Sequence, residues 1–306
     1  MIKKYFIIFF LLLCPIKSQG FSFLHIPIQE EGRIKPLDSF ARNQLLKIYG
    51  KSKLTIYDKN DDKYKISAID WLFSILKQEP SSLNQTIFKI ENPDVVSALN
   101  LEIAKKLIYS FNQINDGLNQ VNNQELIQRL QQTERENLSL VEKQILDLNI
   151  KRNLFLKLYN SASCVIPMMV ISDPVLAKAF DVLQYEGISY SYYIRNQINI
   201  HHNLQKLINS INPDDSDNNT IIELKKIMDV ISIFENELFM RNHSQMLMSS
   251  NILKLFPNGY EWVSPWNIID EIKVNGEIQS ENIKLLSILE KILNDEKSSK
   301  VKTNKN

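Results

Sequence analysis

Residues 26–42 read IPIQEEGRIKPLDSFAR and are the most informative stretch of the chain. They combine a glycine that permits a tight turn, a proline that fixes the backbone, a helix-capping residue and two arginines placed around a phenylalanine. These features lie at Gly32, Pro36, Asp38 or Ser39, Arg33 with Arg42, and Phe40. No catalytic motif has this spacing, so the stretch indicates a structural or docking element without chemistry of its own.

The first residues of the chain predict export. Two lysines precede an apolar run over 5–15, which has the length of a signal-peptide core and is too short to span a bilayer. Small residues before Phe21 suit cleavage, so residues 1–20 are interpreted as a signal peptide. The predicted location is the periplasm or the extracytoplasmic face of the inner membrane. Lipid attachment at Cys14 and an uncleaved anchor are the alternatives.

Composition limits the classes of function. The formal net charge is +1 over 306 residues, so the footprint of a nucleic-acid-binding protein is not expected. Beyond the apolar run the chain has one cysteine, Cys164, which rules out an internal disulfide framework. The fold must therefore be stabilised by packing.

The spacing of apolar residues predicts a mainly α fold with long amphipathic helices and a few short strands. Three parts are expected after the signal: an N-terminal segment over 21–115, a helical region over 116–294 packed with it, and a disordered tail over 295–306. Predicted helices cover 40–49, 66–77, 93–101, 123–160 with a break near Asn137, 174–185, 187–211, 220–241 and 282–294, and predicted strands cover 53–57 and 86–90. Predicted helix caps are Asn92 followed by Pro93, Ser110, Asp173 and Ser264, with Gly50 as a helix stop.

Catalytic and metal-binding motifs are missing from the sequence. No histidine and cysteine residues have the spacing of zinc ligands, and no Cys-x-x-Cys-His motif for covalent haem is present. Cys164 lies among apolar residues and is interpreted as a buried structural thiol. We therefore assign no catalytic residue and no metal ligand, and we expect a protein that is not an enzyme.

Three cations near the front are the main candidates for a binding site. Arg33, Lys35 and Arg42 are predicted to converge near the turn and the start of the helix, where arginine suits carboxylate recognition. The alternative is that Arg33 or Arg42 pairs with Asp38 or Asp70 and only holds the fold. A second candidate surface is an ordered edge where a partner docks, formed by Trp262 and Trp266.

The stretch over 26–42 resembles the extracytoplasmic segment of CcsA-type (System II, ResB/ResC-related) cytochrome c biogenesis proteins. Further similarity lies at residues 68–72, 88–95, 109–111 and, more weakly, 262–266. The positions that define the motif are Gly32, Pro36, Asp38, Phe40, Asp70, Trp71, Asn92 and Pro93. The similarity is concentrated in the N-terminal segment.

In that family a membrane region handles haem through a tryptophan-rich loop and flanking histidines, and it presents the haem to apocytochrome c. This chain lacks the loop and the membrane helices. The resemblance therefore implies an accessory domain for cytochrome c maturation, with a membrane cytochrome c assembly subunit and apocytochrome c as partners. None of the family's haem-handling residues carries over to a position of this chain, and no covalently bound cofactor is expected. Arg33, Lys35 and Arg42 are the candidates for contact with the partner or with haem propionates. A periplasmic helical scaffold or adaptor unrelated to haem is the alternative function.

Overall fold

The computed structural model describes residues 26–57, 63–104, 106–210, 219–243, 254, 256–258, 261–275 and 280–294. Within these ranges the chain forms twelve α-helices and five two-stranded antiparallel sheets. The predicted mainly α class with a few short strands is therefore confirmed. The predicted signal peptide (1–20) and tail (295–306) lie outside the described residues.

Short strands are interspersed among the helices along the whole described chain. The first part of the chain contains β1 (Pro27–Glu30), β2 (Arg33–Pro36), α1 (Leu37–Tyr49), β3 (Lys53–Tyr57), β4 (Lys63–Ser67), α2 (Ala68–Leu76), α3 (Pro80–Asn84), β5 (Thr86–Lys89), α4 (Pro93–Ala98), β6 (Ile108–Ser110), α5 (Phe111–Leu118) and α6 (Val121–Gln132). The second part contains α7 (Leu140–Asn160), β7 (Pro167–Val170), α8 (Pro174–Phe180), β8 (Gly187–Ser189), α9 (Tyr190–Ser210), α10 (Asn219–His243), β9 (Phe256–Asn258), β10 (Glu261–Val263), α11 (Pro265–Asn275) and α12 (Ser280–Asn294).

One local arrangement recurs throughout the described ranges: a pair of antiparallel strands whose second strand leads into a helix. The pairs β1–β2, β3–β4, β5–β6, β7–β8 and β9–β10 lead into α1, α2, α5, α9 and α11, and the connections β5–β6 and β7–β8 contain the helices α4 and α8. In the last four, a serine at the junction accepts a hydrogen bond from a first-turn amide and so caps the helix. The serines and their donors are Ser67 with Asp70 N (3.2 Å), Ser110 with Gln113 N (3.3 Å), Ser189 with Tyr192 N (2.9 Å) and Ser264 with Asn267 N (3.3 Å).

The first junction differs, and it corrects a prediction. Helix α1 begins at Leu37, and Pro36 occupies the N-cap position with no side-chain cap, so the predicted caps Asp38 and Ser39 lie inside the first turn. The predicted stop at Gly50 is confirmed, because its φ of 80° is left-handed and its N–H bonds to Leu46 O.

Several predicted helices are shorter than expected. Strands occupy the first residues of two of them, at 66–67 and 187–189, and strands of three to five residues are too short for an alternating pattern to stand out. The helices expected to reach 101 and 185 end earlier, at Ala98 and Phe180. The caps that start them, Asn92 and Asp173, are confirmed.

The long helical pattern over 123–160 is divided as predicted. Helices α6 and α7 are separated by a segment that includes a 3₁₀ turn (Arg135–Asn137), and a capping box of Ser139 with Glu142 restarts the helix. The two helices then pack against each other. Arg129 pairs with Glu142 at 2.7 Å across this contact.

The buried side chains form one continuous apolar cluster that extends from Ile28 to Leu293. Aromatic rings are prominent in it: Phe111 stacks on Phe155 with ring centres 4.7 Å apart. Cys164 is fully buried in the cluster, as its apolar surroundings predict.

Candidate docking site at the front hairpin

The front hairpin, formed by β1 and β2, turns through two residues with positive φ. Glu31 has a φ of 52° and Gly32 a φ of 75°, the geometry of a type I′ turn that matches the twist of paired strands. A Cβ added at Gly32 would meet no atom within 4 Å, so glycine serves the backbone conformation and not a close contact. The turn sets Glu30 directly opposite Arg33.

A buried carboxylate joins this hairpin to helix α1. The side chain of Glu30 is 8% exposed and accepts hydrogen bonds from Lys35 Nζ at 2.5 Å, from Lys47 Nζ at 3.1 Å and from Gln44 Nε2. Gln44 is itself fully buried. Since Lys35 belongs to β2 while Gln44 and Lys47 belong to α1, one carboxylate fixes the strand and the helix relative to each other.

The electrostatics of this cluster favour the ionised forms. Burial by itself raises the pKa of Glu30, but hydrogen bonds from Lys35 and Lys47 and their positive charges outweigh it, so the pKa lies below its ordinary value. Burial lowers the pKa of Lys47, but hydrogen bonds to Glu31 and Glu30 and their charges raise it more, so this pKa lies above its ordinary value. The cluster is therefore an ion-paired anchor at neutral pH.

The three predicted binding cations do not converge on one site. Lys35 is held on Glu30, and Arg42 pairs with Asp38 at 2.5 Å within α1, which is the structural alternative proposed for it. Arg33 is exposed and makes no ion pair within the described ranges. The candidate site therefore depends on Arg33.

An exposed apolar residue lies beside Arg33. Ile34 is 62% exposed, whereas Ile28 on the first strand is fully buried. Gln29, the cross-strand partner of Ile34, donates its N–H to Lys254 O at 3.0 Å and so directs its backbone away from β2. Because opposite residues of an antiparallel pair share this direction, the backbone of Ile34 also points outward. The front hairpin thus presents the Arg33 cation, the Ile34 side chain and the outward-pointing backbone of Ile34 on β2.

The remaining motif residues of the resemblance are framework residues. Phe40 and Trp71 are fully buried, and Asp70 bonds with Ser67 at the start of α2. The Asn92 side chain caps α4 by accepting from Asp94 N at 2.9 Å, and Pro93 is the first residue of that helix. The backbone N–H of Asn92 also donates to Gln144 on α7, which ties the two halves of the chain together.

The predicted edge at Trp262 and Trp266 is only partly available to a partner. Trp262 is half-buried on β10. Trp266 is 1% exposed, donates its Nε1 hydrogen to Asn160 O at 3.0 Å, and packs with its ring centre 6.1 Å from that of Tyr190. The prediction that Trp266 offers a binding surface is therefore wrong, because this ring belongs to the core.

The sequence reasoning missed the residues that anchor the front hairpin: Glu30, Gln44 and Lys47. One available signal was strand alternation, since a turn at 31–32 puts Ile28 and Glu30 on the same face of β1. A second was the helical spacing of Gln44 and Lys47, which places them on neighbouring positions of α1. Neither signal identifies the partner of the buried carboxylate without the tertiary contact.

Two properties of the described residues bear on metal binding and on membrane crossing. Within these ranges no group of histidine, cysteine, aspartate and glutamate side chains could hold a metal ion. Among the described helices, none combines the length and the apolar character needed to cross a bilayer. His201 Nε2 lies 2.8 Å from Tyr193 Oη.

Comparisons of the chain with protein-family models, with curated proteins and with solved structures found no match.

The Glu30 cluster predicts a pH-dependent contribution to stability. Because the folded pKa of Glu30 lies below its ordinary value, ionised Glu30 stabilises the fold above that ordinary value, and the contribution disappears as the pH falls through the folded pKa. Glu30→Gln should lower the free energy of unfolding at pH 7 by about 2–3 kcal/mol. Denaturant unfolding between neutral and acidic pH should show a smaller loss for the variant than for the wild type.

The neighbouring Glu31 provides a matched control. It also pairs with Lys47, at 3.0 Å, but its side chain is 74% exposed. Glu31→Gln should therefore cost less than about 1 kcal/mol and leave the pH dependence unchanged. Equal losses for the two variants would show that Glu30 is not the anchor.

The two buried tryptophans predict a difference between matched substitutions. Trp266 Nε1 donates to Asn160 O, whereas Trp71 Nε1 is buried and has no hydrogen-bond partner among the described residues. Trp266→Phe removes one of the two hydrogen bonds that Asn160 O accepts and leaves only the bond from Ser163 Oγ, whereas Trp71→Phe removes an unsatisfied buried donor. Thermal or denaturant unfolding should show Trp266→Phe to be less stable by about 1–3 kcal/mol than Trp71→Phe. The reverse order would contradict these hydrogen-bond assignments.

Proposed function

We propose that this chain is an exported accessory domain for the maturation of c-type cytochromes. It docks through the front hairpin to a membrane cytochrome c assembly subunit, to apocytochrome c, or to both. The support is the resemblance of residues 26–42 to the extracytoplasmic segment of CcsA-type proteins, combined with the way these residues are arranged in space.

The observation that carries the proposal is that most residues of the motif stabilise the fold, whereas two of them are exposed. Gly32 and Phe40 hold the turn and the core, and Lys35 and Arg42 are engaged in ion pairs. Arg33, together with the neighbouring Ile34, is left exposed on a hairpin whose orientation is fixed. A cation next to an apolar side chain on a fixed backbone is suited to binding a partner, because the backbone does not have to be ordered on association.

Arg33 also limits the way in which haem would be contacted. A guanidinium binds a carboxylate through two parallel hydrogen bonds, and this carboxylate is either a haem propionate or an acidic side chain of the partner. Lys35 is engaged with Glu30, and one Nη of Arg42 is engaged with Asp38. We therefore place Arg33 first among the three predicted cations, and we assign no catalytic step to a residue of this chain.

The alternative, a helical scaffold or adaptor unrelated to haem, is favoured by a different surface. Apolar side chains are exposed to solvent around the paired strands β7 and β8. This region lies outside the segments that carry the resemblance. The exposed side chains are Met168 (50%), Val170 (58%), Leu183 (77%) and Tyr185 (70%). Exposed apolar residues in one short region are typical of protein-binding surfaces.

Deletion of the gene followed by complementation tests the proposed function. Staining of membranes for covalently bound haem should show loss of c-type cytochromes in the deletion strain and recovery with the wild-type gene. The double variant Arg33→Glu with Ile34→Asp should fail to restore them, because it reverses the charge and removes the apolar contact without touching the core.

The control is Lys206→Glu with Ile208→Asp on α9, where Ile208 is 57% exposed and so resembles Ile34. This variant should restore the cytochromes fully, and immunoblots should show equal amounts of both variants. Unchanged cytochrome levels in the deletion strain would reject a role in maturation. Recovery with the Arg33 and Ile34 variant would reject docking through the front hairpin.

A further inference from the structure

The hairpin β3–β4 has one buried face and one basic face. Leu54 is fully buried, and its cross-strand partner Ile66 is partly buried against the core. The other face is set by the pairs Lys53 with Ser67, Thr55 with Lys65, and Tyr57 with Lys63. The three lysines on it are all exposed, and we call this surface the lysine face.

The lysines of this face, Lys53, Lys63 and Lys65, form no ion pair within the part of the chain that the structure describes. Lys63 and Lys65 are two residues apart on one strand, about 7 Å, and Lys53 is diagonal to Lys65 at about 7–8 Å. Neighbouring like charges on a hairpin oppose folding. A bound anionic surface relieves this repulsion.

The composition of the lysine face favours lipid over protein as the anionic surface. Protein interfaces are depleted in lysine and rely on arginine and aromatic anchors, whereas clustered lysines bind anionic headgroups as point charges. The face is also a local feature, since the formal net charge of the whole chain is only +1.

We infer that the lysine face binds anionic lipid headgroups and holds the domain against a membrane surface. The inference rests on the proposed function in one respect, namely that the chain works at the extracytoplasmic face of a membrane. Both β3–β4 and the front hairpin pack against α1, so a single helix sets their relative orientation. Binding of the lysine face to lipid would therefore also restrict the orientation of Arg33.

Vesicle sedimentation with the purified chain from residue 21 onward tests this inference. Vesicles of phosphatidylcholine with a fraction of phosphatidylglycerol should bind the protein at low salt, and vesicles of phosphatidylcholine alone should not. The triple variant of Lys53, Lys63 and Lys65 to Gln should lower the partition coefficient roughly 100-fold, because each lysine near an anionic surface contributes about 1 kcal/mol. High salt should have the same effect as the triple variant.

Two further variants sharpen the result. Replacement of the exposed Lys178, Lys206 and Lys226 by Gln changes the net charge equally and should leave vesicle binding unchanged. The connection at 58–62 carries Asp58, Asp61 and Asp62 in the sequence, and their replacement by Asn should strengthen binding because it removes opposing charge. Binding that is equal in wild type and triple lysine variant, or unaffected by the Asn replacements, would overturn the inference. Since no cytochrome protein is present, failure here leaves the proposed docking function unaffected.

Discussion

The burial of one carboxylate determines how the front of this protein is arranged. A carboxylate removed from water is costly unless it is paired and hydrogen-bonded. Glu30 meets this requirement by drawing in Lys35 from β2 and Lys47 with Gln44 from α1. Because Lys35 and Lys47 are engaged, Arg33 is the exposed cation of the front hairpin that makes no ion pair among the described residues. The ion pairs of Glu30 therefore fix the front hairpin and also occupy the lysines next to Arg33.

A comparable arrangement occurs where the paired strands β7 and β8 lead into α9. Arg195 on α9 pairs with Glu290 on α12, with side chains 14% and 15% exposed, and Ser189, which caps α9, also bonds to Glu290. In both places an ion pair that is largely shielded from water lies near the point where paired strands lead into a helix. At the front it joins Glu30 to Lys35, and here it joins α9 to α12.

Features encoded in neighbouring residues were predictable from the sequence. The caps at Asn92, Ser110 and Asp173 and the stop at Gly50 depend on side chains within one turn of the helix end, and the structure has all of them. The break near Asn137 follows equally from local polar residues. Such signals need no knowledge of the tertiary fold.

Features that depend on distant partners were not predictable. Glu30 and Gln44 are 14 residues apart, and Trp266 finds its acceptor 106 residues away at Asn160. The sequence places Trp266 close to the start of a helix. Whether its ring is buried depends on Tyr190 and Phe234, which belong to other helices. For the same reason the pattern grouped Arg33, Lys35 and Arg42, although only tertiary contacts show which of them is engaged.

Photo-crosslinking from position 34 in intact cells tests docking through the front hairpin most directly. A photoreactive phenylalanine analogue in place of Ile34, and separately in place of Ile208 as the control, would capture proteins within contact distance of each side chain. Docking predicts crosslinks from position 34, and not from position 208, to a membrane subunit of cytochrome c assembly or to an apocytochrome c. The same products from both positions, or products from position 34 that contain no cytochrome assembly protein, would contradict it.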